Sequence, residues 1–182
     1  MRVISGSAKG TALFSPRGGL TRPTSDFVKE NLFNIIRENL AAANVLDLFA
    51  GTGALGIEAL SRGAASGTFV DSSAKCTDTI RRNLEKTRLD SKGFVIKADA
   101  LAMVKKLGEA GHKFNLIFLD PPYFEGLAEK TLKAILSHGI LSEDGYAILE
   151  MSRQGNLSAM QGFRVFDKRE YSGTRLVFLD LC

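Results

Sequence analysis

The fold is decided by residues 45–56, which read Val45-Leu-Asp-Leu-Phe-Ala-Gly-Thr-Gly-Ala-Leu-Gly56. A short apolar run, two closely spaced glycines and a second apolar run predict a strand, a tight turn and a helix. Gly51 and Gly53 let the backbone turn sharply and approach a ligand, because no Cβ stands in the way. The first turn of the following helix presents unpaired N–H groups. The stretch is therefore typical of a nucleotide-type binding loop.

Two classes of ligand fit this loop. The spacing of Gly51, Gly53 and Gly56 matches the dinucleotide fingerprint G-x-G-x-x-G, with Asp71 placed for a ribose at the end of the next predicted strand. Asp47 favours the other class, because a carboxylate near the end of the first strand would repel a pyrophosphate but would hold an α-amino group. S-adenosylmethionine (SAM) has that ammonium group and no phosphate.

Further candidates for the cofactor site adjoin these acids. Asp71 could accept hydrogen bonds from both ribose hydroxyls or, alternatively, cap the helix that follows it. Phe49 in the loop and Ser72 after Asp71 are assigned to the same site. Asp99 and Ala100 follow the third predicted strand, where a side chain and a backbone N–H could read an adenine edge. Asp99 could equally cap the helix that it precedes.

Short apolar runs alternate with amphipathic stretches after residue 44, and this predicts a doubly wound α/β fold with a mostly parallel sheet. The predicted parallel strands are Val45–Phe49, Gly67–Asp71, Gly93–Lys97, Asn115–Asp120 and Gly145–Glu150. The predicted helices are Gly53–Ser61, Ser73–Leu89, Ala100–Leu107 and Gly126–Ser137. An antiparallel hairpin closes the predicted sheet, with strands Phe163–Lys168 and Arg175–Leu181 around Ser172-Gly173.

The first 44 residues break this alternation, and we expect them to form an N-terminal arm and helix on one domain spanning residues 1–182, with the catalytic core over 45–182. Arg2–Ser5 and Thr11–Phe14 predict a strand-turn-strand, followed by a loop over Ser15–Pro23. The expected cap of the helix is one of Thr24, Ser25 and Asp26. Its expected buried stripe consists of Phe27, Leu32, Phe33, Ile35, Ile36 and Leu40.

Charge is distributed unevenly along the chain. The net charge is +4, and residues 1–44 hold six basic side chains against three acidic ones, whereas the rest of the chain is nearly balanced. This asymmetry indicates contact with a polyanion, although an ordinary solvated surface fits it as well. Arg2 and Lys9 are the candidates in the arm. A second basic set lies on one predicted helix and is more typical of a solvated face: Lys75, Arg81, Arg82, Lys86 and Arg88.

The sharpest motif is Asp120-Pro-Pro-Tyr123, which follows a predicted strand and uses two of the four prolines in the chain. Prolines stiffen the turn and remove backbone donors, so the Asp120 carboxylate and the Pro121 carbonyl can both accept hydrogen bonds from an exocyclic amine. Held in this way, the nitrogen lone pair would point at a methyl sulfonium, in line for displacement. Pro122 rigidifies the turn, and Tyr123 can stack on a flat base.

Composition excludes several classes of protein. At 182 residues, 45% hydrophobic and 24% charged, the chain is typical of one globular domain. Its apolar runs are too short for a membrane span, and no secretory signal is visible. Two cysteines are too few to stabilise a secreted fold by disulfides, so we expect a cytoplasmic protein. His112 and His138 are the only histidines, which makes a metal site or a histidine-dependent triad improbable.

Taken together, the loop at residues 47–56, Asp71 and the tetrad at 120–123 resemble class I SAM-dependent methyltransferases that modify exocyclic amines. Two further segments are similar to the RsmD type, the 16S rRNA guanine(966)-N2-methyltransferases. One reads Arg22-Pro-Thr-Ser-Asp26 and continues with Glu30-Asn-Leu-Phe-Asn34, and the other is Leu55-Gly-Ile-Glu-Ala-Leu-Ser-Arg-Gly-Ala64. The resemblance covers nearly the whole chain.

The resemblance implies a Rossmann-like sheet of seven strands, SAM as methyl donor with S-adenosylhomocysteine as product, and no metal. It also implies a guanine of 16S rRNA as acceptor, within the small ribosomal subunit or an assembly intermediate, modified by a monomer. Arg22 and Thr24 would then lie near the catalytic pocket. Other hypotheses are a DNA adenine-N6 or cytosine-N4 methyltransferase, a nicotinamide-dependent dehydrogenase, and an RNA-binding assembly factor with an idle pocket.

Overall fold

The computed structural model describes residues 1–16, 25–122, 126–155 and 161–182. Within these residues one sheet is formed by seven strands, β1 (Asn44–Leu48), β2 (Ser66–Asp71), β3 (Gly93–Lys97), β4 (Phe114–Leu119), β5 (Leu141–Ser152), β6 (Phe163–Glu170) and β7 (Thr174–Leu181). The strand order is β3-β2-β1-β4-β5-β7-β6. β1 to β5 are parallel, and β7 pairs antiparallel with both β5 and β6. The predicted fold class is confirmed.

Helices cover both faces of the sheet. They are α1 (Asp26–Ile35), α2 (Ala54–Ser61), α3 (Ala74–Thr87), α4 (Ala100–Glu109) and α5 (Leu127–Ser137). α1, α2 and α3 pack on one face, whereas α4 and α5 pack on the other. Residues of β1 alternate between the two cores, with Val45 in the first and Leu46 and Leu48 in the second. Across the described ranges, none of the helices combines the length and apolarity needed to cross a bilayer.

The chain changes direction across the sheet between β1 and β4. β2 and β3 are added on one side of β1, and β4 then pairs with β1 on its other side. In open α/β sheets, ligands bind outside the carboxyl ends of the strands at this kind of switch point. The topology therefore directs attention to the residues that follow β1 and β4.

The predicted elements of the core are confirmed, with small shifts at their ends. β5 is the main exception, because it begins at Leu141, four residues before the predicted Gly145, and a register irregularity between Phe114 and Leu116 of β4 lies opposite this extension. The hairpin of β6 and β7 turns at Ser172-Gly173 as expected, with Gly173 at φ 87°. Of the three candidate caps of α1, Ser25 is the residue that accepts from the N–H of Val28.

Two expectations for the N-terminal segment are wrong. The arm pairs antiparallel only around Arg2 and Ala12, with backbone bonds from Val3 to Thr11 (3.0 Å) and from Leu13 to Met1 (3.1 Å), and it does not continue as two strands because N–H groups of the segment from Ile4 to Ala8 bond to α2 instead. In the predicted buried stripe of α1, Phe27 is 66% exposed and Ile35 is 36% exposed. Phe27 lies in the first turn of the helix, beyond the surface that packs on the core.

Candidate active site

The loop between β1 and α2 has the backbone shape that its glycines predict. Gly51 (φ 56°) and Gly53 (φ 74°) adopt left-handed conformations, and so does Phe49 (φ 63°), where a side chain is strained. Gly56 is required for another reason. A Cβ at this position would lie 2.3 Å from Cε1 of Phe69 on β2, so its absence allows α2 to pack closely on the sheet.

Asp47 occupies the second-last position of β1 and is 4% exposed. Its Oδ2 accepts a hydrogen bond from the N–H of Gly56 (3.0 Å). Burial is the main reason that the pKa of Asp47 is raised to about 8; the Gly56 N–H opposes the shift, and the neighbouring carboxylates Asp120 and Asp71 add to it. The site thus holds a buried acid whose charged form is unfavourable until a cation arrives.

Asp120 follows β4 directly and is half-buried, with Pro121 buried behind it and Pro122 exposed. Burial raises the pKa of Asp120 to about 7, and the nearby Glu150 of β5 contributes to the shift. The hydroxyl of Thr174 shares its one hydrogen between Oε1 of Glu150 (3.2 Å) and the carbonyl oxygen of Met151 (3.0 Å). Asp47, Asp71, Asp120 and Glu150 therefore meet at the carboxyl edge of four neighbouring strands.

Asp71 ties the glycine loop to the end of β2. The N–H of Gly51 donates to its Oδ2 and the N–H of Ser73 to its Oδ1, both at 2.8 Å. The alternative that Asp71 caps α3 is wrong, because Ser73 is the cap and accepts from Cys76. Each carboxylate oxygen keeps a second lone pair, so the ribose contact stays a prediction. Ser72 is exposed beside Asp71 at the same edge.

Asp99 acts as the cap of α4, since its Oδ1 accepts from the N–H of Ala102 (3.0 Å). Ala100 is buried in the first turn of the helix. The capping alternative for Asp99 is thus confirmed, and the contact of these two residues with an adenine stays a prediction.

An ionic network that sequence reasoning missed anchors the arm. Glu58 on α2 is fully buried, and it pairs with the fully buried Lys29 of α1 (3.1 Å) and with Arg62 (2.8 Å). Its two oxygens also accept from the backbone N–H groups of Ile4 (2.8 Å) and Ser5 (3.0 Å). One carboxylate thereby fixes α1, α2 and the arm relative to each other.

The side chain of Asn83 on α3 connects the arm to the glycine loop through hydrogen bonds. Its side-chain amide donates to the carbonyls of Phe14 (3.1 Å) and Thr52 (2.9 Å), and its Oδ1 accepts from the N–H of Phe14 (2.7 Å). The ring of Phe14 lies under the cations of Arg82 (4.4 Å) and Lys86 (4.3 Å). The position of the loop therefore depends on the arm.

Two of the predicted substrate residues lie together in a separate cleft. Arg2 and Lys9 line a cleft of about 460 Å³ between the arm and the first turns of α1. Arg2 also pairs with Asp26, at 3.6 Å from Nε to Oδ2. Arg22, Thr24 and Tyr123 lie outside the described residues, so the predictions for them stay untested.

The sequence analysis did not identify Glu150 as a site residue, and it did not identify Glu58 and Asn83 as the buried side chains that hold the arm. Glu150 had a usable signal, because it follows the apolar run Ala147-Ile-Leu149 just as Asp47, Asp71 and Asp120 follow theirs. Glu58 and Asn83 had none, since an acid and an amide inside helices are ordinary at exposed positions. Only packing reveals that both side chains are buried.

The strand order, the glycine loop and the acids at the strand ends define a class I methyltransferase fold of the Rossmann-like type. The family model described as Conserved hypothetical protein 95 matches residues 1–180, and the chain belongs to this family. The resemblance to the RsmD type is confirmed, because relatives of this chain are named Ribosomal RNA small subunit methyltransferase D.

Relatives of this chain include named ribosomal RNA methyltransferases. It is 33% identical over 157 residues to Ribosomal RNA small subunit methyltransferase D of Escherichia coli K12, covering 86% of this chain and 77% of the relative. It is 41% identical over 173 residues to the Bacillus subtilis protein named Putative rRNA methyltransferase YlbH, covering 95% of this chain and 94% of that relative. The solved structure of yhhF from Escherichia coli superposes with a TM-score of 0.89 at 28% identity, covering 100% of this chain and 97% of the other.

Proposed function

We propose that this protein transfers the methyl group of SAM to the exocyclic N2 of a guanine in 16S rRNA. The observation that carries the proposal is the meeting of Asp47, Asp71 and Asp120 at the switch point of the sheet, in a chain whose relatives are named small-subunit rRNA methyltransferases. The acceptor would belong to the small ribosomal subunit or an assembly intermediate. We place the reaction in the cytoplasm, carried out by a monomer without a metal.

The chemistry of the site fits SAM better than a dinucleotide. SAM supplies an electrophilic methyl group on a sulfonium, together with an ammonium group. Asp47 is buried, its Oδ2 accepts from the N–H of Gly56, and burial together with the nearby Asp120 and Asp71 raises its pKa to about 8. A cation favours the charged form of such a group, whereas a pyrophosphate would add two negative charges beside Asp47. The nicotinamide-dependent hypothesis is therefore disfavoured.

Asp120 and Pro121 suit the acceptor side of the reaction. The backbone N of Pro121 has no hydrogen to compete for the pocket, so the Asp120 carboxylate and the Pro121 carbonyl present acceptors to the two N–H groups of an exocyclic amine. Methylation of that nitrogen releases one proton. With a pKa of about 7, Asp120 can take up this proton at neutral pH.

Mass spectrometry of nucleosides tests the proposal. Unmodified small subunits and naked 16S rRNA are each incubated with SAM and with wild-type protein, Asp120→Ala or Asp78→Ala. Asp78 is an exposed acid on α3, so its variant is the matched control. We expect N2-methylguanosine with the wild type and Asp78→Ala, and none with Asp120→Ala although this variant still binds SAM in calorimetry.

Other results of this experiment would support the alternative hypotheses or refute the role of Asp120. Methylated adenine or cytosine in added DNA, without a methylated guanosine in RNA, would support the DNA hypothesis. RNA retention without any methylated nucleoside would support an assembly factor with an idle pocket. Full activity of Asp120→Ala would refute the role given to Asp120.

A further inference from the structure

Phe27 is an exposed aromatic side chain that contacts the turn between β6 and β7. It lies in the first turn of α1 and is 66% exposed, the largest exposure among the large hydrophobic side chains of the described residues. Its ring meets the ring of Tyr171 edge to face, with the centroids 6.0 Å apart and the planes at 85°. This contact holds the Phe27 ring against the turn between β6 and β7 while one side of the ring stays open to solvent.

The turn that contacts Phe27 adjoins the catalytic acids. The N–H of Tyr171 donates to the carbonyl of Thr174 (2.8 Å), and the Thr174 hydroxyl donates to Glu150, whose charge acts on Asp120. Phe27 is therefore linked through three contacts to Glu150, which in turn acts on Asp120, the acid that would hold the acceptor amine. The ring lies beside the turn that precedes β7, and β7 pairs with β5 next to Glu150.

Phe27 also lines the cleft of about 460 Å³ that contains Arg2 and Lys9. Pockets of this size hold small ligands and single nucleotides. An aromatic face beside exposed cations is the combination with which proteins bind single-stranded nucleic acid, because bases stack on the ring and phosphates meet the cations. Asp26 and Glu30 line the same cleft, so its net charge is balanced. Stacking on the ring, rather than net charge, would thus be the main contribution of this cleft to RNA binding.

We propose that the Phe27–Tyr171 pair is a stacking platform for the base of an rRNA nucleotide that flanks the target guanine, with its phosphate at Arg2 and Lys9. This inference rests on the proposed function, because it names the part of the same RNA that the cleft binds. A base stacked on this pair would keep the RNA strand unpaired on one side of the target guanine. The target guanine could then enter the pocket beside Asp120.

Binding of an unmodified 16S rRNA transcript tests the platform. The transcript is titrated in filter-binding experiments against wild type, Phe27→Ala, Phe27→Tyr and Phe94→Ala. Phe94 is 58% exposed on β3, the strand at the other edge of the sheet, and it is the matched control. Because stacking contributes about 1–3 kcal/mol per base, Phe27→Ala should weaken RNA binding roughly 5- to 150-fold. Phe27→Tyr and Phe94→Ala should bind like the wild type.

Two further readouts separate a substrate contact from a folding defect. Phe27→Ala should keep the wild-type SAM affinity in calorimetry and the wild-type melting temperature, since an exposed ring contributes little to the core. With unmodified small subunits as substrate, its KM should rise while kcat changes much less. A loss of SAM binding together with RNA binding would instead assign Phe27 a structural role and overturn the proposal.

The proposed function and the platform can fail separately. If the wild type methylates no nucleoside but binds the transcript in a manner that depends on Phe27, the proposed function fails and the platform stands. If Phe27→Ala binds the transcript as tightly as Phe94→Ala does, or if the wild type binds no RNA, the platform is refuted.

Discussion

Asp47→Asn should stabilise the protein without ligand, and the gain should depend on pH. Burial raises the pKa of Asp47 from 3.8 to about 8, so between these values the native state holds a proton that the unfolded chain has lost. The stability of the wild type therefore falls as pH rises through this window, by up to about 1.4 kcal/mol per pH unit. An asparagine carries no charge, and its carbonyl oxygen can still accept from Gly56.

The magnitude follows from the two pKa values. Between pH 5 and pH 7 the wild type should lose about 2–3 kcal/mol relative to Asp47→Asn. For a chain of this size each kcal/mol corresponds to roughly 2–4 °C in melting temperature. The advantage of Asp47→Asn in melting temperature should thus be about 4–12 °C larger at pH 7 than at pH 5.

Differential scanning calorimetry of the protein without ligand measures this difference. Asp144→Asn, at an exposed position of β5, is the control and should show no pH-dependent advantage. The same Asp47→Asn variant should bind SAM more weakly, because it has lost a carboxylate that would pair with a cation. An equal advantage of Asp47→Asn at both pH values would refute the reasoning, since Asp47 would then be charged in the folded protein throughout.

Three other predictions concern packing, the buried ions and RNA. Glu58→Gln should destabilise the protein by about 3–5 kcal/mol, because Lys29 would remain buried without its anionic partner; thermal unfolding measures the loss. Gly56→Ala should cost about 1–3 kcal/mol, because the new Cβ would overlap the ring of Phe69; urea denaturation measures it. Binding of 16S rRNA should weaken as salt increases, which filter binding at several salt concentrations would show, since the basic groups of the arm are expected to meet phosphates.

Each of these predictions has a control and a contrary outcome. Glu85→Gln, at an exposed position of α3, should leave thermal stability unchanged, and an equal effect of both glutamate substitutions would contradict the buried network. Adding Phe69→Leu to Gly56→Ala should restore part of the lost stability, because it removes the ring that the Cβ meets. Salt-independent binding would place the basic groups of the arm away from phosphates.

The cofactor side of the site was largely predictable because its parts are close in the sequence. The loop at residues 47–56 carries its own turn chemistry, and each acid follows its apolar strand directly. Parallel strands bring their carboxyl ends to one edge, so Asp47, Asp71 and Asp120 had to meet once the strands were recognised. The contact between Phe27 and Tyr171 was less predictable, because the two residues are distant in the chain. Periodicity alone does not show which faces of their segments are exposed.

The sequence by itself thus determined the α/β class, the glycine loop and the edge at which the acids stand, since these depend on local propensity and on covalent order. Only the tertiary structure decided which groups are buried. Desolvation by the surrounding side chains raises the pKa of Asp47, and the same packing buries Glu58 and Lys29 as a pair while leaving Phe27 exposed. Burial depends on contacts between segments far apart in the chain, and no local pattern of residues encodes those contacts.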